Sequence, residues 1–409
     1  MELTLRVRAP LRKKGLFSSS RIKVEDVVRA VIDGAKGTPL ETNARARAVG
    51  AGGPFIVNMH PKVGPVRIRA KGDHVELEVS AYTVGPGYHA FMVSVLDSMQ
   101  ASIGLQWQWH DPTDYARKRD FAELQSRMAA SFAADCAGLV SRIEADGEAF
   151  VASLFMPANC GVIAAQHEIL TPFGPASLEQ VRDWASSVGA NLRAAAADFY
   201  IWWDQGFGGS FYRGLVLYWF WMDLRWATPL DHEEADFIIG VLDCYAKALE
   251  LGADLPIPQL AISELFALLE GNVVRPIADS QGIGYRRRMW TRPVGSNWRL
   301  VMPGCLAPSE ERNNDAVTYV FDAARLNVRA SVHIAPSGDP RICSGEFDGE
   351  VSVVDHYVEE LDRTVTSRNL AKTHRLGAQT SVCIMTITSS TPATRLLGER
   401  IGQSLTYIP

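Results

Sequence analysis

The hydrophobic period of this chain changes twice, from two residues to about 3.6 and back to two, and that order restricts the fold more than any motif does. From Glu2 to Arg8 polar and apolar residues alternate as on a half-buried strand, and Val24 to Ile32 sets apolar side chains at helical spacing. Phe55 to Met59, Val66 to Ala70 and Val75 to Ala81 are three further strand-like runs. Lys71-Gly72-Asp73 supplies turn chemistry that joins the last two into a hairpin. After the breaker Gly85-Pro86-Gly87, Tyr88 to Ile103 places Phe91, Val95 and Met99 four residues apart, as a helix requires. Residues 1–112 therefore predict a β-α-β-β-β-α unit, an open sheet with helices on one face.

Residues 113–271 read as almost wholly helical. Phe121 to Ile143, Leu178 to Trp184, Asn191 to Trp203, Phe211 to Trp226, Glu233 to Leu251 and Ile262 to Leu269 all carry the helical period. Two starts have a mechanism: Ser177 lies three residues before Gln180, and Asp231 three before Glu234, so each side chain can serve the free N–H groups of a first turn. Beyond a Gly- and Pro-containing linker at 272–284, period two returns in Tyr285 to Thr291, Trp298 to Met302, Val317 to Phe321, Val328 to Ile334 and Ser381 to Thr388. A short helix over Ala393 to Ser404 closes the chain. The expectation is an α+β protein: a basic N-terminal α+β domain (1–112), a helical aromatic-rich region (113–271) and a mostly antiparallel C-terminal α+β domain (285–409). At 409 residues, more than one hydrophobic core is expected.

Charge is segregated. Residues 1–72 hold 15 Lys/Arg against 5 Asp/Glu, a balance of +10 that leaves −15 of the total −5 for the rest. A basic domain suits nucleic acid, a phosphate group or an acidic protein, and equally suits docking on the acidic remainder of the same chain. The six cysteines are scattered, with no CxxC pair and no zinc-finger spacing, so they are expected to be free thiols without a metal. Met1 to Pro10 lacks the apolar core of a signal peptide, and the most apolar stretch, Gly214 to Met222, falls far short of the roughly 20 residues a membrane helix needs. A cytoplasmic protein with no membrane partner is expected.

Three groups of candidate site residues stand out. Gly85-Pro86-Gly87-Tyr88-His89 combines backbone-permissive glycines with a helix start that suits an anion, and His89 is the side chain that titrates near neutrality; the alternative is a plain strand-to-helix turn. Trp202 and Trp203 belong to an aromatic-rich run from Phe199 to Trp226. Neighbouring aromatics cannot all face one side of a helix, so a core, a second copy of the chain, a partner protein or a flat ligand must receive some of them. Arg286 and Arg288 read as sharing one face of a strand, solvated or bound to an acidic surface. Asp231-His232-Glu233-Glu234 reads as a helix cap, since consecutive side chains diverge.

The chain contains no GxSxG, Walker-type, GxGxxG or kinase-like signature, and no cofactor is expected. The leading expectation is a protein that acts by stoichiometric binding of another protein, of which a bacterial toxin-neutralising (immunity-type) protein is one concrete instance. The alternatives are a hydrolase or transferase on a phosphate-containing substrate with a site near Tyr88 and His89, and a nucleic-acid binder using the basic N-terminal domain, for which no fingerprint is present.

Overall fold

A computed structural model of the chain describes residues 3–11, 22–41, 44–50, 53–59, 64–147, 152–157, 167–229, 231–270, 283–304, 306–313, 316–323, 326–336, 349–358 and 363–408. The fold is mixed α+β, with several separate sheets. Two compact units are present. The first holds Met1–Ala158, Gln166–Tyr218 and Val241–Pro256, and the second holds Trp219–Gly240 and Ile257–Pro409.

In the first unit the expected order of strands and helices is present with two additions. β1 (Leu5–Pro10), α1 (Val24–Asp33), β2 (Arg45–Ala48), β3 (Phe55–Asn58), β4 (Val66–Lys71), β5 (His74–Val79), α2 (Pro86–Ile103) and β6 (Gln108–His110) build a six-stranded antiparallel sheet. Its order is β2-β3-β4-β5-β1-β6. One face is apolar: Leu5, Val7 and Ala9, Val66 and Ile68, and Val75, Leu77 and Val79 are all buried, as are Val27, Val28 and Val31 of α1. Burying each such Val or Leu stabilises the fold by about 1.5–3 kcal/mol. The additions β2 and β6 were not read from the sequence: β2, Arg-Ala-Arg-Ala, alternates only between arginine and small alanine and is exposed throughout, and β6 spans only Gln108–His110.

The stretch expected to be almost wholly helical contains α3 (Tyr115–Lys118), α4 (Phe121–Asp146), α5 (Leu178–Ser186), α6 (Gly189–Phe199) and α7 (Gly209–Tyr218). It also contains a small sheet of β7 (Ala152–Ser153), β8 (Ile169–Thr171) and β9 (Gly174–Ala176), which the almost wholly helical reading did not include. A second correction concerns Asn191 to Trp203. The helix ends at Phe199, and Tyr200 turns extended at φ −79°, ψ 140°. The extended residues Tyr200, Ile201, Trp202 and Trp203 are all buried, which a helix could not achieve for four neighbours.

In the second unit, a π-turn at Trp219–Asp223 precedes α8 (His232–Glu250), whose last turns belong to the first unit, and α9 (Gln259–Leu269) follows. Both capping signals are realised: Ser177 Oγ accepts from the Gln180 N–H at 3.1 Å, and Asp231 Oδ1 from the Glu234 N–H at 2.9 Å. Then β10 (Met289–Val294), β11 (Trp298–Pro303), β12 (Ala307–Asn313), β13 (Ala316–Ala323), β14 (Leu326–Pro336), β15 (Gly349–Val358), β16 (Arg363–Leu376), β17 (Gln379–Ser389), α10 (Pro392–Gln403) and β18 (Thr406–Tyr407) complete the chain. β12-β13-β14-β17-β16-β15 form one antiparallel sheet and β10-β11-β18 another. Trp298, Met302, Phe321, Val328, Met385 and Leu397 are among the residues of their common core. The strand expected at Tyr285 begins only at Met289. Residues 285–288 form a turn, so Arg286 and Arg288 do not share a sheet face.

Candidate functional site

Alternation along a strand sends every second side chain to the face of the N-terminal sheet opposite its apolar core. On β1 these are Arg6 and Arg8, on β4 Arg67 and Arg69, and on β5 Glu76 and Glu78. Strand register sets them in rows. Arg47 of β2 lies opposite Ile56 of β3, Ile56 opposite Arg67, Arg67 opposite Glu78, Glu78 opposite Arg6, and Arg6 opposite His110. A second row runs Arg69, Glu76, Arg8, Gln108. Arginines thus stand on alternate strands, β2, β4 and β1, in columns about 9.6 Å apart, and the two rows are about 6.8 Å apart.

The two glutamates sit low between the arginine columns, each 21% exposed. Glu78 lies 3.5 Å from Arg6 and 3.8 Å from Arg67; Glu76 lies 3.2 Å from Arg69, 3.5 Å from Lys71 and 4.0 Å from Arg8. The arginine side chains remain 46–60% exposed. Such surface pairs contribute at most about 1 kcal/mol each to stability. Their consequence is electrostatic: among the described residues seven cations, Arg6, Arg8, Arg45, Arg47, Arg67, Arg69 and Lys71, stand on one face with two carboxylates, Glu76 and Glu78. Among the described residues Arg47 has no ion pair. The face carries a depression of about 550 Å³ whose lining includes Ile56, Val49 and Pro54, and no Phe, Tyr or Trp. The sequence does hold a signal for this surface, three Arg-x-Arg pairs at 6/8, 45/47 and 67/69. Net charge alone, read without that spacing, does not reveal it.

The Gly85 to His89 segment lies on the other side of this unit's architecture, in its core. Gly85 has φ +126°, and a Cβ there would come within 2.4 Å of the Trp202 carbonyl oxygen. The Gly87 N–H donates to that same oxygen at 3.0 Å. Tyr88 is fully buried, its hydroxyl donates to the Gly64 carbonyl at 2.6 Å, and burial pushes its phenol above the ordinary value. The His89 ring is 0% exposed, with Nε2 3.2 Å from Asp111 Oδ2 and 3.3 Å from Thr113 Oγ1. Asp111 also accepts from the Thr113 hydroxyl and from the N–H groups of Thr113 and Ala116. Burial opposes ionisation of Asp111, but the hydrogen bonds, led by His89, outweigh it and hold the carboxyl below the ordinary carboxylate range.

The structure therefore brings Gly85, Gly87, Tyr88 and Trp202 into one packed group, with the Tyr88 and Trp202 rings 6.1 Å apart. Trp203 is buried, stacks on Tyr200 at 5.9 Å, and its carbonyl accepts from Gln125 Nε2 at 3.2 Å. Arg286 and Arg288 belong to the second unit. Arg286 Nε donates to the Met222 carbonyl at 2.7 Å, and the Arg288 guanidinium lies over the Trp221 and Tyr285 rings at 5.5 and 5.6 Å. Cys136, Cys244 and Cys383 are free thiols, whose burial pushes them up to about 12, 11 and 12; the other three cysteines lie outside the described residues. Among the described residues, no cluster of three or more His, Cys, Asp or Glu could hold a metal ion, and no helix is long and apolar enough to cross a membrane. No protein-family model matches the chain, and no curated protein matches it.

Proposed function

We propose that the chain works as a stoichiometric binding protein whose N-terminal sheet docks an acidic segment of another protein. The observation that carries this reading is the accessible face on which, among the described residues, seven cations stand with two carboxylates, since a guanidinium fork pairs with carboxylate in a bidentate way. Charge complementarity of this kind steers association and fixes partner orientation. A nucleic acid suits the face less well. Among the described residues its lining offers no aromatic ring on which bases could stack. An enzyme using Tyr88 and His89 has no observation in its favour, because both side chains are 0% exposed. Toxin neutralisation is a special case of the same reading, in which the acidic segment belongs to an effector.

The test is calorimetric titration of the full chain with a poly-glutamate peptide and, separately, with a single-stranded oligonucleotide of equal charge, at about 0.15 M salt. The expected result is saturable one-to-one binding of poly-glutamate that weakens about tenfold in Arg6→Gln/Arg67→Gln. Tighter binding of the oligonucleotide, weakened by the same substitutions, would transfer the face to nucleic acid.

A further inference from the structure

The open face has two unequal halves. Over β4, β5 and β1, each gap between arginine columns is filled by a glutamate on β5. Over β2, β3 and β4, the equivalent position opposite Arg47 and Arg67 is Ile56, and among the described residues no acid fills that gap. Ile56 is half-buried, Val49 beside it is 48% exposed, and Pro54 completes an apolar floor in the same depression. Single exposed apolar residues are ordinary on a surface. Three that line one depression together with Arg47, which makes no ion pair among the described residues, form a composite site: an apolar floor with a cation at each side, the arginine stems adding further apolar wall.

Resting on the acidic-partner reading above, we infer that the docked segment is a helix presenting an apolar side chain between two carboxylates, laid across β2 to β4 with the apolar group on Ile56 and the carboxylates on Arg47 and Arg67. Spacing selects the helix. The two arginine columns are about 9.6 Å apart. Carboxylates at i and i+7 of a helix are separated by about 10.5 Å along its axis, with i+4 on the same face between them. In an extended segment the corresponding same-face residues i and i+4 are about 13.6 Å apart, and i and i+2 leave no same-face residue between them.

The experiment uses alanine-based helical peptides with Glu at i and i+7 and either Leu or Ser at i+4, titrated into the full chain and its variants. The wild type is expected to prefer the Leu peptide by about tenfold, the partial burial of one leucine side chain. Ile56→Ser removes that preference. Arg47→Gln, at an exposed position that leaves the core untouched, weakens the Leu peptide about three- to fivefold, while Arg193→Gln, exposed on α6 and outside this face, changes it less than about twofold. Equal binding of the Leu and Ser peptides, with both weakened by Arg6→Gln/Arg67→Gln, would overturn this inference and leave the acidic-partner reading standing. Failure of both peptides and of poly-glutamate to bind would overturn the two together.

Discussion

Gly87→Ala tests the packing around Trp202 by the sign of its effect as well as by its size. Gly87 is the second residue of α2, where helix propensity alone favours alanine over glycine by up to about 1 kcal/mol. The structure gives the opposite sign. A Cβ at Gly87 would lie 2.2 Å from Trp202 Cδ1 and 2.3 Å from the Asp204 carbonyl oxygen, more than 1 Å inside ordinary contact. The indole has nowhere to go: it is 0% exposed, its ring lies 5.5, 4.9 and 4.7 Å from those of Phe91, Phe207 and Phe211, and its Nε1–H donates to the Gly206 carbonyl at 2.8 Å. Overpacking of this kind costs about 1–3 kcal/mol, and displacing Trp202 also lengthens the Gly87 N–H to Trp202 carbonyl bond, for a further 0.5–1.5 or so. The net expectation is a loss of about 1–3 kcal/mol after the propensity gain. The matched control is Gly138→Ala, on the exposed side of α4 with no atom within 4 Å of the added carbon, which should gain about 0.5–1 kcal/mol. Urea denaturation of the three proteins, followed by tryptophan emission and far-ultraviolet circular dichroism, reads both signs. Stabilisation at both positions would refute the account of the Gly85 to Trp202 packing.

Trp202→Ala should cost about 3–5 kcal/mol in the same assay, through the cavity left among Phe91, Phe207 and Phe211. Arg287 and Glu264 pair at 2.9 Å with side chains only 6% and 9% exposed, so Arg287→Ala should cost about 3–5 kcal/mol, whereas changing both residues to leucine should cost markedly less; equal losses would contradict the argument. Because the Asp111 carboxyl titrates below its ordinary value in the folded chain, its contribution to stability is complete above the unfolded value near pH 4 and is lost as pH falls through the lower folded value. Asp111→Asn should therefore lower stability at neutral pH by about 1.5–3 kcal/mol and flatten the acid limb of a stability-against-pH curve, while an unchanged acid limb would exclude Asp111 as its source.

What the sequence made legible follows from what a period can report. Periods of two and 3.6 say which side chains share a face, so α2, α4 and the strand faces of β1, β4 and β5 could be read residue by residue. Period says nothing about which strands adjoin. β1 lies between β5 and β6, and only that order sets Arg6 beside Glu78 and Arg67 beyond it; the binding face is a product of register. Strands without an apolar face escaped altogether. These are β15 and β16, which share with β17 a polar row in which Asn369 donates to Ser352 Oγ and Thr386 donates to Asn369 Oδ1, whereas β17 itself, with Cys383, Met385 and Ile387 buried, was legible over Ser381 to Thr388. At Tyr200 to Trp203, tertiary packing on Gly85 and Gly87 overrode the helical period that continued past Phe199.

The central claim, that the open face of the N-terminal sheet docks acidic protein, is tested most directly by reversing its charge. Arg6→Glu/Arg67→Glu alters two side chains that are 51% and 59% exposed but sets like charges on both sides of Glu78, so the variant should melt somewhat below the wild type while keeping its circular dichroism spectrum, which is checked before titration. Both proteins are titrated with poly-glutamate and with poly-lysine peptides over a series of salt concentrations. The account predicts that the wild type binds poly-glutamate with an affinity that falls as salt rises, and that the variant loses this binding by more than about tenfold and gains poly-lysine binding. Undiminished poly-glutamate binding by a folded variant would contradict it.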